Sequence, residues 1–129
     1  MGPNEVLDKG YIATAETPLF TIVKQTGVES AELNTTAGGD WLGVAQEEPN
    51  EEDAAYGRVF RVRLLGISRV VAANGNINSR DKVTSNASGQ AVVAGAGQNV
   101  VGIALTGSEA AGDWINVLLT PGVALPAGT

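Results

Sequence analysis

Apolar positions along this chain alternate in short runs instead of recurring at helical spacing, and that period of two predicts strands. In Leu19-Phe20-Thr21-Ile22-Val23-Lys24 the alternation sets Phe20, Ile22 and Lys24 on one face and Leu19, Thr21 and Val23 on the other. A turn is expected at Gln25-Thr26-Gly27, then a strand over 28–33, a loop over 34–40 and a strand over 41–45. Further strands are expected at 58–64, 67–72, 77–85, 90–94, 101–105 and 115–119. The turns between them are marked by Asn74-Gly75-Asn76, Asn86-Ala87-Ser88-Gly89 and Gly95-Ala96-Gly97. The one helical or turn-like segment is Glu51-Glu52-Asp53-Ala54-Ala55-Tyr56, closed by Gly57.

The chain also repeats itself. Leu42-Gly43-Val44-Ala45-Gln46 followed by 54–64 is echoed by Val101-Gly102-Ile103-Ala104-Leu105 followed by 110–119. The echo aligns Phe60, Val62 and Leu64 with Ile115, Val117 and Leu119, all apolar and alternating, and leaves Arg61 and Arg63 on the opposite face. Two copies are too few to stack as a solenoid, so the expected architecture is all-β: a small pseudo-symmetric β-barrel or β-sandwich with short hairpins and at most one short helix. One β-domain is expected over 19–122, with related hairpin units at about 41–71 and 100–123. Residues 1–18 carry Tyr11 and Ile12 as their bulky pair and read as a flexible, extended N-terminal arm, with the alternative that Tyr11 and Ile12 belong to the first strand of the barrel itself. Residues 123–129 read as an irregular tail, because two prolines and two glycines follow Leu119.

Composition narrows the chemistry. The 129 residues hold 17 glycines, no cysteine and no histidine, which removes disulfides, thiolate or imidazole metal sites and histidine-based catalytic triads. Eight Lys plus Arg against fourteen Asp plus Glu give a net charge of −6, a field that repels nucleic acid and anionic lipid. No apolar run reaches the ~20 residues of a membrane span and no signal peptide is evident at the start, so a soluble, cytoplasm-made protein is expected, with no cofactor.

The segments Arg80 to Val92, Val100 to Leu105 and Ala110 to Leu119, with the first-copy counterpart at 42–71, resemble the capsid decoration (cement, head-stabilising) proteins of tailed bacteriophages. The likeness covers roughly residues 19–122 and rests on glycine, alanine and alternating apolar positions. It implies a non-enzymatic virion protein on the capsid exterior, often a homotrimer at three-fold or pseudo-three-fold positions, with the major capsid protein as partner.

Candidate sites follow from this. Tyr11, Ile12, Ala13 and Thr14, flanked by small residues, suit an arm that adds as a strand to the capsid. Trp41, Trp114, Arg61 and Arg63 are candidate subunit contacts, because tryptophan and arginine dominate protein interfaces. The acidic loop from Glu47 to Asp53 lacks the alternate ligand spacing of a calcium loop and reads as a solvated hairpin tip. Asp81-Lys82 invites comparison with a carrier-domain lysine, but Lys82 enters a strand at once. The alternative from another class is a carbohydrate-binding β-module on a phage or bacterial surface, with Trp41 or Trp114 as the stacking platform.

Overall fold

The computed structural model describes residues 6–125, which form ten strands and one short helix. Strands β1 (Leu7–Ala13), β2 (Ile22–Gly27), β3 (Ser30–Leu33), β4 (Gly43–Ala45) and β5 (Val59–Leu65) close into a barrel in the order β1-β3-β2-β4-β5. Helix α1 (Glu51–Ala55) bridges β4 and β5. Strands β6 (Ile67–Val71), β7 (Lys82–Ser85), β8 (Ala91–Val93), β9 (Asn99–Ala104) and β10 (Trp114–Ala124) form a second sheet in the order β6-β10-β9-β7-β8. The architecture is all-β, as the alternation requires.

Two clusters of buried side chains hold these layers. Tyr11, Ala13, Val23, Ala31, Ala45, Phe60 and Val62 fill the barrel, where a five-stranded closure leaves room for small residues and few rings. Ile22 and Val44, the outward neighbours of Val23 and Ala45, pack instead with Val70, Val101, Ile115 and Val117 of the second sheet. The start of β2 and the whole of β4 are therefore buried on both faces, which explains why Ile22, Val23, Val44 and Ala45 are all inaccessible. Leu65-Gly66-Ile67 carries the chain from one sheet to the other; Gly66 has φ 100°, a left-handed conformation that side chains resist.

The sequence echo corresponds to one pairing built twice. In the first copy Val44 faces Arg63 and Ala45 faces Val62; in the second Ile103 faces Leu118 and Ala104 faces Val117. The next hydrogen bond recurs too: the Gln46 N–H donates to the Arg61 carbonyl at 2.9 Å, and the Leu105 N–H donates to the Asn116 carbonyl at 2.7 Å. The aligned apolar triads nevertheless serve different cores, Phe60 and Val62 inside the barrel and Ile115, Val117 and Leu119 between the layers.

Four expectations are corrected. The segment read as a free arm contains β1, which pairs with β5 from Leu7↔Leu65 to Ile12↔Val59 and with β3 at Ile12↔Ser30, and so closes the barrel. Both partners are distant in sequence, so a sparse local pattern concealed them; Met1 to Glu5 lie outside the described residues. The strand expected from Leu19 begins only at Ile22, because Phe20 takes φ 59° and turns its ring onto Trp114. Gln25-Thr26-Gly27, expected as a turn, ends β2; the turn is at Val28-Glu29. The tail expected from 123 is still strand: β10 passes Pro121 and Gly122 in a bulge and pairs Val123 with Val100 and Ala124 with Asn99. Residues 126–129 lie outside the described set.

Candidate docking surfaces

The second sheet buries one face against the barrel and leaves the other open. Alternation along β10 turns Ile115, Val117 and Leu119 inward and Trp114, Asn116 and Leu118 outward. Register extends that outer face across the sheet: Asn116 sits beside Arg69, Leu118 beside Ile103, and Ile103 beside Lys82. Trp114 is 55 % exposed, with Phe20 edge-on to its ring at 5.0 Å and the Arg69 guanidinium 5.5 Å above it. Leu118 and Leu105 are also exposed. An outward strand face of this kind is ordinarily polar, and here these side chains form an exposed apolar patch.

A second apolar patch lies at the other end of β5. Val59 is 66 % exposed and pairs with Ile12, and the Gly57 turn lies against the Ile12 side chain. Acids outnumber bases beside it: Glu47, Glu48 and Asp53 line a hollow with Val59, and the one cation there, Arg58, is paired with Asp53 at 3.3 Å. Helix α1 adds Glu51, Glu52 and Asp53 in its first turn, the favourable end of its dipole, and is held by a capping box between Asn50 and Asp53. Among described residues, the barrel and α1 carry ten acids and five bases, whereas the chain from Gly66 onward carries three of each. The charge is thus concentrated on one half of the molecule.

The sequence-derived candidates fall into different settings. Tyr11 and Ala13 are buried in the barrel and cannot face a capsid, which corrects half of that candidate set; Ile12 and Thr14 are exposed. Thr14 donates to Glu32 Oε1 at 2.8 Å. Arg63 is 19 % exposed and already engaged: Nε and Nη2 grip the Asp8 carboxylate at 2.8 and 3.2 Å, and Nη1 donates to the Ile67 carbonyl at 3.0 Å. It staples β5 to β1 and to the start of β6, an intramolecular task that leaves it unsuited to a subunit contact. Arg61 is exposed and 3.6 Å from the same carboxylate. Trp41 packs against the core between the layers, and its free side borders a cleft of ≈ 590 Å³ with Lys24, Asn34 and Asp40.

Phe20, Leu105, Leu118 and Val59 were not singled out from sequence. The signal for Leu118 was present in the echo, since it stands where the first copy has Arg63. An apolar residue replacing a cation on the outward face of a repeated hairpin marks that face as more apolar than its counterpart.

Next to Trp114, Asp113 closes the hairpin into β10. Its carboxylate accepts from the Glu109 and Ala110 N–H groups at 2.8 and 2.9 Å, and these bonds hold its pKa below the ordinary 3.8. Among the described residues no group of acids is arranged to hold a metal ion.

Residues 12–119 match the family model described as phage cement protein. A solved structure, the head fiber gp8.5 N base of bacteriophage phi29, shares the fold with a TM-score of 0.67 at 17 % identity, covering 90 % of this chain and 95 % of that one. None of the curated proteins matches the sequence.

Proposed function

The chain belongs to the phage cement protein family, a capsid-associated structural component of the virion, and from that premise we propose that it binds the outside of a phage head as a homotrimer and stabilises the shell. The family match over residues 12–119, nearly the whole fold, carries this reading. The open face of the second sheet supports it, because a structural binding protein needs contact area more than it needs a catalytic group. The partner is the major capsid protein, at three-fold or pseudo-three-fold positions. Many copies, each adding a modest contact, strengthen the lattice by multivalency. Thr14, exposed just past the end of the first strand, remains the capsid-facing candidate of that set.

The test is co-sedimentation with expanded, undecorated heads, followed by heating of decorated and bare heads in parallel. Decoration should bring the protein into the pellet and raise the temperature at which the heads release DNA. Protein left in the supernatant at saturating concentration would refute the reading.

A second reading, sugar binding, is favoured by one observation. The free side of Trp41 borders a cleft of ≈ 590 Å³ whose other lining includes the polar side chains of Lys24, Gln25, Thr36 and Asp40. Glycan-array binding that disappears on Trp41→Ala would support it.

A further inference from the structure

The two exposed apolar patches differ in what surrounds them, and the difference is complementary. On the outer face of the second sheet, Trp114, Leu118 and Ile103 are accompanied by Arg69 and Lys82. At the barrel end, the paired Val59 and Ile12 lie beside Glu47, Glu48 and Asp53, with Arg58 already held by Asp53. Strand β5 separates them: from Val59 to Leu65 it advances about 20 Å before the chain enters the second sheet.

We infer that these two patches bind each other between copies, the sheet face of one chain on the barrel end of the next, so that the occupant of each is a second copy of this chain. The inference rests on the trimer reading and supplies its interface. Joining like to like would set acid rim against acid rim at the barrel end or Arg69 and Lys82 against their own counterparts at the sheet face, in a chain of net charge −6. Joining unlike patches brings each cation to a carboxylate and buries Trp114, Leu118, Ile12 and Val59 together. An interface made of two different patches is head-to-tail, and three such contacts close a ring when each step turns by a third of a circle.

A complementation experiment tests this directly. The full chain, its Leu118→Glu variant (sheet face) and its Val59→Glu variant (barrel end) are run by light scattering alone and as an equimolar mixture of the variants. Circular dichroism verifies that both variants fold. The unaltered chain should run at three times its 13.2 kDa mass, each variant at one chain mass, and the mixture at two chain masses, because it retains one intact contact. A charge-only series guards against misfolding of the first pair. Arg69→Glu with Lys82→Glu, and separately Glu47→Lys with Glu48→Lys, should each abolish the trimer at low salt, and the four changes in one chain should restore it. Variants that remain trimeric, a mixture that stays monomeric, or four reversals without rescue would overturn the pairing. A monomeric unaltered chain would instead defeat the trimer reading, and this inference with it.

Discussion

Gly102 lies against the main-chain carbonyl of Leu118 so closely that no Cβ fits between them, and Gly43 stands in the same relation to Arg63. A Cβ on Gly43 would also come 2.8 Å from Val62 Cγ1, the counterpart of Val117. The two glycines occupy equivalent positions in the repeated hairpin and let β4 meet β5, and β9 meet β10, without a side chain between them. Gly43→Ala and Gly102→Ala should each lower the unfolding free energy by about 1 to 3 kcal/mol or more, since the overlapped atoms are backbone and cannot swing away. Urea midpoints measure this, and unchanged midpoints would contradict the close approach.

Val62 and Val117 occupy matched registers but different cores, the barrel interior and the seam between layers. Truncating either to Ala should cost about 1 to 3 kcal/mol through lost transfer energy and the cavity left behind. The sites share no cluster, so the double variant should show nearly additive losses. A strong departure from additivity in chemical denaturation would merge the two cores into one.

Tyr11 tests the assignment of the first strand. It is 5 % exposed inside the barrel, whereas its neighbour Ile12 is 39 % exposed. Tyr11→Ala should remove about 3 kcal/mol or more, and Ile12→Ala less than about 1 kcal/mol. Equal, small shifts in the thermal midpoint would return this segment to the status of a loose arm.

Asp113 predicts an acid limb. Its folded-state pKa is depressed by the Glu109 and Ala110 amides, so its contribution to stability is present above the ordinary value of 3.8 and is lost as pH falls through the lower folded value. Asp113→Asn should flatten this part of the stability profile below about pH 4 and leave the shape at neutral pH unchanged. Denaturation midpoints measured across that range give the comparison, and superimposable acid limbs would deny the role.

The parts of the fold legible from sequence were those set by local period and by repetition. Alternation in Phe60-Arg61-Val62-Arg63-Leu64 gave the strand and its inward face, and the Leu-Gly-Val-Ala and Val-Gly-Ile-Ala echo gave the hairpin that recurs. What stayed hidden depends on distant partners. Leu7–Ala13 is a strand because β5 and β3 flank it, and Val123 and Ala124 extend β10 because Val100 and Asn99 receive them across a bulge. Local composition carries no record of such pairings. The arginines show the same limit at the candidate site: Arg61 and Arg63 read alike in sequence, but only Arg63 is committed to Asp8 and the Ile67 carbonyl. Trp114 reads like Trp41 until the layers separate them, one to the open face and one to the core.

The central claim is that this chain decorates the exterior of a phage head. Cryo-electron microscopy of expanded, undecorated heads mixed with the purified protein tests it most directly. The account predicts added density on the outer surface at three-fold or pseudo-three-fold positions, into which three copies of the barrel and its second sheet fit. A reconstruction indistinguishable from bare heads at saturating protein, or density confined to the inside of the shell, would contradict it.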